Sequence, residues 1–80
     1  DRIMHLYNET IDVSCKQDIP QLVAWRGGVY HVDRVLDTWT ARHAWWTTEE
    51  FRRYLLLETT MGVMEIYLGP RGWVLSRVFD

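Results

Sequence analysis

Glycine-marked turns at short intervals constrain this chain more than any other feature of its sequence. Gly27-Gly28 separates two strand-like runs, Gly62 separates two more, and GPRG at positions 69–72 precedes the last run. Two-residue turns that need positive φ, where glycine is free of strain, are typical of β-hairpins. The spacing therefore predicts a series of antiparallel strands, with Gly27-Gly28 as a hairpin turn.

Apolar and polar residues alternate between these turns, as they do in half-buried strands. In TIDVSCK at positions 10–16, Ile11, Val13 and Cys15 share one face, and we expect them to be buried there. Strands are also predicted over residues 51–60, 63–68 and 73–80.

The run from Val32 to Trp39 departs from this alternation. Its apolar positions change phase near Arg34, which predicts a β-bulge in a long strand. A short helix is the alternative, because Val32, Val35, Leu36 and Trp39 also have helical spacing. We expect residues 40–50 to form a loop with at most one helical turn.

Together these patterns predict an all-β fold in one domain spanning residues 1–80. The expected architecture is a small antiparallel open barrel or curved meander of five to six strands. Residues 1–10 have no clean period and are expected to form a loose arm or an edge strand.

Composition excludes several classes of protein. The 80 residues are 48% hydrophobic with a net charge of −2, which argues against disorder and against a strongly basic nucleic-acid binder. The single cysteine requires no oxidising compartment, and no apolar run is long enough to span a membrane. A soluble cytoplasmic protein is expected.

The sequence contains no recognisable catalytic motif. There is no nucleophile elbow, phosphate-binding glycine loop or CxxC pair. His31 and Asp33 share a face of a strand, but two ligands without a third do not make a typical catalytic metal site. We therefore expect no enzymatic activity, metal or cofactor.

The tryptophans divide into two groups. Trp25, Trp39 and Trp73 are expected in the core, whereas the adjacent Trp45 and Trp46 point in opposite directions on an extended chain. One of that pair should be exposed, and exposed tryptophans near arginines are typical of protein-binding hot spots. The predicted binding residues are Trp45, Trp46, Arg34, Arg42, Arg52 and Arg53. A solvated face on which the arginines pair with neighbouring carboxylates is the alternative.

Several ordered motifs resemble a known family. They read WRG-x-x-Y-x-V, V-L-D-x-W, W-W, R-x-Y-x-x-x-T-x-x-G, E-I-Y and G-x-W-x-L-x-R-V-F-D, and they run from about Ile11 to Asp80. The family is a small uncharacterised bacterial all-β domain, found as short stand-alone proteins and at the C-terminus of Y-family DNA-polymerase-like proteins of mutagenesis cassettes. The matching positions are Trp25, Arg26, Gly27, Tyr30, Val32, Val35, Leu36, Trp39, Trp45, Trp46, Tyr54, Glu65, Tyr67, Gly72, Trp73, Leu75 and Asp80. The resemblance implies no catalytic residue and associates the chain with DNA repair.

These observations predict a non-catalytic interaction module that binds a protein partner, in the context of DNA repair or translesion synthesis. A small barrel that binds single-stranded nucleic acid is one alternative, since aromatic rings and arginines can stack on bases. A homodimer that pairs through an aromatic patch or a free edge strand is another.

Overall fold

Seven antiparallel strands form one sheet in the computed structural model, which describes residues 3–44, 46 and 49–80. The spatial order is β1-β7-β6-β5-β4-β3-β2. The strands are β1 Met4–Thr10, β2 Asp12–Lys16, β3 Ile19–Trp25, β4 Gly28–Ala44, β5 Glu49–Thr59, β6 Gly62–Gly69 and β7 Gly72–Phe79. The all-β class and the antiparallel arrangement predicted from the sequence are confirmed. The described residues contain no helix, and so none that could span a membrane.

The sheet curls so that its two edges belong to one continuous piece of chain. β1 pairs with β7 and β2 pairs with β3, yet only Ile11 separates β1 from β2. The Ile11 amide donates a 3.2 Å hydrogen bond to the Trp73 carbonyl, and the Ile11 side chain is buried. The predicted arm at residues 1–10 is therefore an edge strand that helps to close a small open barrel.

The core fills the inside of this curled sheet. In-register rows place Leu57, Met64 and Val78 across β5, β6 and β7, where all three are buried. Tyr7, Val13, Tyr30, Val32 and Trp73 pack around its margin. The buried hydrophobic cluster comprises Ile11, Val23, Trp25, Leu55, Leu57, Met64, Ile66, Leu75 and Val78.

β4 is a bent strand, which confirms the predicted strand and bulge over the helical alternative. Its pairing with β5 shifts between Val32 and Arg34 and again between Val35 and Asp37. Seventeen fully extended residues would span about 56 Å at ~3.3 Å per residue. The longest extent of the molecule is 39 Å, so the bulges must bend this strand.

The first hairpin turn is one residue away from the predicted position. Trp25 pairs with Gly28, and the two turn residues are Arg26 and Gly27, with φ of 49° and 76°. Positive φ at both positions matches the twist of the flanking strands. Gly28 belongs to β4, where a Cβ would lie 2.8 Å from the Tyr30 hydroxyl oxygen. A glycine at this position therefore allows close packing of the Tyr30 ring and is not required by the turn.

Two other expectations about burial are wrong. Cys15 is exposed because the pairing of β2 with β3 shifts between Ser14 and Cys15, which breaks the alternation of faces. Trp39 is 37% exposed and lies on the outer face of the sheet instead of in the core. Trp25 is buried and Trp73 packs against the core, as expected.

Candidate functional site

The distal halves of β4 and β5 form a ribbon that extends past the core and is two-stranded beyond Arg53, where the pairing of β5 with β6 ends. Its rungs run from Thr38 opposite Leu55 to Ala44 opposite Glu49. Leu55 is the last buried residue at this end of β5, so the remaining rungs lie beyond the packed interior. The residues predicted as a loop at 40–44 and 49–50 are strand residues of this ribbon.

The inner face of the ribbon, which continues the core side of the sheet, combines exposed apolar and cationic side chains. Arg42 pairs with Phe51, and Arg53 pairs with Leu68. Because directly paired residues share a face and residues two apart in a strand do too, all four lie together. We call Arg42, Phe51, Arg53 and Leu68 the Phe51 face. Phe51 is 61% exposed and Leu68 is 39% exposed.

The charges of the Phe51 face are available to a ligand. Arg42 is 3.6 Å from Glu49, and both side chains are more than half exposed. An ion pair of this kind is worth only about 0–1 kcal/mol, so a competing carboxylate can replace Glu49 at little cost. Among the described residues, no carboxylate lies within ion-pair distance of the exposed Arg53.

Trp46 lies at the tip of the ribbon and is fully exposed, at 101% of its reference area. A tryptophan exposed to this extent leaves its apolar surface in water, where burial against a partner would be favourable. Of the adjacent pair, Trp46 therefore meets the expectation of exposure. Trp45 lies outside the described residues.

The outer face of the ribbon holds a ladder of aromatic rings. Trp39 stacks on Tyr54 with ring centroids 5.3 Å apart and an interplanar angle of 1°, and Tyr54 is 5.2 Å from Tyr67. The Tyr54 hydroxyl is 3.4 Å from Nε2 of His43. The rings thus pack on one another, and the stacked Trp39 and Tyr54 faces are already used within the protein.

Arg52 belongs to this outer ladder and not to the Phe51 face. Its guanidinium lies 4.5 Å from the Tyr67 ring centroid, and its Nη2 is 3.2 Å from Oε2 of Glu50. Hydrogen bonding with Tyr54, followed by that with Glu50, raises the pKa of Arg52 above its ordinary value. Through these contacts the Arg52 side chain packs against the aromatic ladder and stabilises it.

Arg34 is distant from the other predicted binding residues. It lies in the bulged part of β4, opposite Glu58, and its Nε is 3.2 Å from Oε1 of that residue. Arg34 and Arg42 are eight positions apart along β4, which is at most about 26 Å in extended chain. The structure brings Arg42 and Arg53 together near the tip, and it places Arg34 and Arg52 elsewhere.

Phe51 and Leu68 are site residues that sequence reasoning missed. The sequence patterns predict both residues only as members of strands, without a function. The rung from Ala44 to Glu49 sets the register that carries Phe51 opposite Arg42. Residues 40–50, which include this rung, were predicted as a loop. The sequence therefore offered no basis for pairing Phe51 with Arg42.

Clefts lie on both sides of the β5 strand region, as their lining residues indicate. One of 710 Å³ is lined by polar groups that include Asn8, Glu50, Arg52 and Arg71, and one of 310 Å³ is lined by Ile19, Val35 and Leu55 among others. Within the described part of the chain, no three His, Cys, Asp or Glu side chains are grouped to hold a metal. Among the described residues that line the polar cleft there is neither histidine nor cysteine.

Comparison with known proteins gives a family without an assigned activity. The chain belongs to the DUF6504 family, described as a domain of unknown function, whose model matches residues 1–80. The match includes β1, which the resemblance drawn from the sequence motifs did not cover. No curated protein and no solved structure matches the chain.

Proposed function

We propose that this member of the DUF6504 family is a non-catalytic interaction module that binds a protein partner through the tip of its β4–β5 ribbon. Trp46 is the anchor of the proposed contact, and the Phe51 face supplies its apolar floor and cationic rim. The observation that carries the proposal is a fully exposed tryptophan on a ribbon that also exposes most of Phe51.

Large exposed aromatic side chains near guanidinium groups are typical of recognition surfaces. Hot spots of protein interfaces are enriched in tryptophan and arginine, and truncating one costs about 2 kcal/mol or more of binding free energy. Trp46 provides the tryptophan, and Arg42 and Arg53 provide guanidinium groups that can bind carboxylates in a bidentate manner.

The chemistry of the Phe51 face indicates the kind of partner. An apolar centre formed by Phe51 and Leu68, with arginines on both strands, matches a segment whose apolar side chains are flanked by Asp or Glu. Complementary charges of this kind accelerate association and select the partner, while burial of the aromatic rings supplies most of the affinity.

The cellular context of the proposal comes from the sequence motifs. Their resemblance to a domain carried by Y-family DNA-polymerase-like proteins supports a partner in a DNA-repair or translesion-synthesis assembly. Such an assembly operates on DNA in the cytoplasm of a bacterium, and the single cysteine is compatible with that reducing compartment.

A small barrel that binds single-stranded nucleic acid is the second candidate, and the aromatic ladder on the outer face is the observation that favours it. Three features weigh against it. The Trp39 and Tyr54 rings stack on each other, and Arg34, Arg42 and Arg52 each have a carboxylate neighbour. A chain with a net charge of −2 also lacks the basic surface that phosphate binding favours.

The proposal is tested by affinity purification from extracts of the source cell with immobilised wild-type protein and three variants. We expect Trp46→Ala and Phe51→Ser to lose a partner that the wild type retains. Val29→Ser is the matched control, because Val29 is 60% exposed, as Phe51 is, but lies at the opposite end of β4.

Far-UV circular dichroism should show the same strand content in all three variants, since none of the side chains is in the core. Retention of identical partners by Trp46→Ala and Phe51→Ser would contradict the proposed surface. Binding of an oligonucleotide at low salt, lost steeply as salt rises, would instead favour the nucleic-acid candidate.

A further inference from the structure

The distal half of β4 has a free edge. β3 pairs with β4 only from Gly28 to His31, whereas β5 pairs with β4 from Val32 to Ala44. Beyond His31, no described strand pairs with β4 on the side that faces away from β5. An unpaired row of backbone N–H and C=O groups is a template for another strand.

The regular part of this edge is the eight-residue segment from Asp37 to Ala44. Both bulges of β4 precede it, and its pairing with β5 continues without a shift from Asp37 to Ala44. It spans about 26 Å at ~3.3 Å per residue. A partner strand of similar length can therefore pair along it in one register.

The direction of the free N–H groups follows from Thr38. Its amide donates to Oδ1 of Asp37 at 2.8 Å, so it is not used in the ladder with β5. Because N–H groups alternate between the two sides of an antiparallel strand, those of Thr40, Arg42 and Ala44 also point to the free side. Asp37 covers one donor of this edge and leaves the next three open.

We infer that the free edge of β4 pairs with the same edge of a second copy of this chain, antiparallel and about a two-fold axis at Thr40. Two β4–β5 ribbons then join into one continuous four-stranded sheet. A two-fold axis requires a surface that complements itself, and this segment does so in that register.

Side chains of the segment fit one another when Thr40 pairs with Thr40 of the second copy. Asp37 then faces His43 of the second copy, and Trp39 faces the small Ala41 of the second copy; symmetry repeats both pairs. Threonine pairs, pairs of unlike charge and large-to-small pairs are favourable across strands. A register shifted by two residues in one direction pairs Trp39 with Trp39 of the second copy. A shift by two residues in the other direction pairs Trp39 with His43 of the second copy. Both shifts lose the pairing of Trp39 with the small Ala41.

Pairing of the two edges also changes the hydrogen-bond partner of the Asp37 carboxylate. In the single chain its carboxylate accepts from the Thr38 amide. In the paired edge that amide donates to the backbone of the second copy, and the carboxylate is released towards the imidazole of His43. The contact exchanges a local hydrogen bond for an intermolecular one and adds a pair of complementary charges when His43 is protonated.

The inference goes beyond the proposed function and does not depend on it. In the antiparallel arrangement the two ribbon tips point in opposite directions, and the contact uses backbone groups of Asp37 to Ala44, that of Arg42 included, instead of the side chains of the Phe51 face. Trp46 lies outside the paired segment in each copy, so the dimer carries two copies of the proposed partner site. Self-pairing is favoured over capture of a foreign strand because only the second copy is certain to supply the matching register.

Disulfide trapping tests the register. With Cys15→Ser as background, Thr40→Cys places two thiols in one directly paired rung, where the Cα atoms are about 5.5 Å apart. Thr38→Cys is the matched control, since its thiol lies roughly 13 Å along the strand from its counterpart. We expect mild oxidation of dilute protein to give a covalent dimer with Thr40→Cys and none with Thr38→Cys.

Sedimentation across a concentration series tests the edge itself. The wild type should shift from 9.6 kDa towards twice that mass as concentration rises. Thr40→Pro removes a donor on the free side only and should stay monomeric, while Thr40→Val keeps the amide and should dimerise. A wild type that is monomeric throughout, equal trapping of both cysteines, or a dimer that persists in folded Thr40→Pro would overturn the inference. If Thr40→Pro does not fold, the cysteine pair decides.

Discussion

Arg26 has backbone geometry that is unusual for its residue type, and its side chain accounts for this. A φ of 49° in a residue other than glycine costs roughly 1–2 kcal/mol. Its guanidinium donates to both carboxylate oxygens of Glu9, at 3.0 and 2.6 Å, and lies over the rings of Trp25 and Tyr7. The strained turn is thus tied to β1 on the other side of the barrel opening.

Glu9 makes the stability of this contact depend on pH. Hydrogen bonds from Arg26 and then from Trp25 lower the pKa of Glu9 below 4.5. A carboxyl group with a lowered pKa in the folded state contributes stability above its unfolded pKa and loses it as pH falls through the folded value. We expect the free energy of unfolding to decrease as the pH drops below 4.5, and this decrease to be smaller in Glu9→Gln.

Urea unfolding at a series of pH values measures this dependence. Glu9→Gln keeps an oxygen that can accept from the Trp25 Nε1, so the variant isolates the charge. Arg26→Gln should also reduce the dependence, because Arg26 is the largest cause of the shift. Identical pH slopes in wild type and Glu9→Gln below pH 4.5 would contradict this assignment.

Gly62 and Gly72 both begin strands with a positive φ, but only one of them is also crowded. A Cβ on Gly62, at φ 126°, would lie 2.8 Å from the Phe79 carbonyl oxygen, whereas one on Gly72, at φ 105°, would meet nothing within 4 Å. Backbone strain should cost Gly72→Ala about 1–3 kcal/mol. Gly62→Ala should cost about 1–3 kcal/mol more, because a paired backbone cannot move aside.

Chemical denaturation of both alanine variants compares the two glycines directly. Both variants add the same methyl group at similar φ values. The difference between their losses of unfolding free energy therefore measures the contact of the Gly62→Ala methyl group with the Phe79 carbonyl. Equal losses of stability would mean that the strand end shifts to accommodate the Cβ.

The sequence pattern predicts the burial of some side chains correctly and of others wrongly. In residues 51–60, alternation places Leu55 and Leu57 on one face and Tyr54 and Leu56 on the other, and the structure buries the first pair. The same alternation failed at Cys15, because a bulge changes which way a side chain points without changing the residues. Bulges depend on the neighbouring strand, which a local pattern does not contain.

Within β4, the change of phase near Arg34 did reveal a bulge. The second shift, between Val35 and Asp37, had no separate signal because Leu36 continues an apolar run. The strand ends were also hidden: residues 40–44 lie beyond the core and have no buried face to impose alternation. A ribbon stabilised by its own cross-strand pairs therefore looks like a loop in the sequence.

The aromatic ladder is the main cross-strand device of this ribbon. Trp39, Tyr54 and Tyr67 occupy directly paired positions on β4, β5 and β6. Trp39 was expected in the core because a large apolar ring in a small domain usually lies there. Its position follows from the register of β4 after two bulges, which places it opposite Tyr54 on the outer face.

A double-mutant cycle on Trp39→Leu and Tyr54→Leu should reveal the coupling within the ladder. Aromatic pairs in contact contribute about 0.5–1.5 kcal/mol beyond the area they bury. We expect a coupling free energy of that size in urea unfolding. The control cycle combines Trp39→Leu with Phe51→Leu, since Phe51 lies on the opposite face, and it should be additive within about 0.5 kcal/mol. Coupling that is equal in the two cycles would argue against a specific stacking contribution.

At the scale of the whole molecule, the order of the strands follows from short turns and one closure. Each of β2 to β6 pairs with the next strand in sequence, as expected for strands joined by short turns. The closure could not be read from the sequence, because residues 4–10 lack a regular period. β1 lies at an edge, exposes Leu6 and Met4, and inserts only Tyr7 and Glu9 towards Trp25.

β1 should nevertheless be essential for a cooperative fold. It covers the free edge of β7, packs the Tyr7 ring 4.9 Å from the Trp25 ring, and supplies Glu9 to Arg26. Deleting residues 1–10 exposes that edge and opens the core at Trp25, so we expect the thermal transition to broaden or disappear. In a chain of 80 residues the net stability is only a small difference between large terms, and the loss of one strand can exceed it.

Leu6→Ser is the matched control for this deletion, because Leu6 lies within β1 and is 68% exposed. Its thermal unfolding should be within about 0.5 kcal/mol of the wild type, as for most surface substitutions. A truncated chain that unfolds with wild-type cooperativity would mean that the curled sheet holds without its first strand. Closure through Ile11 would then be a consequence of the barrel and not a cause of its stability.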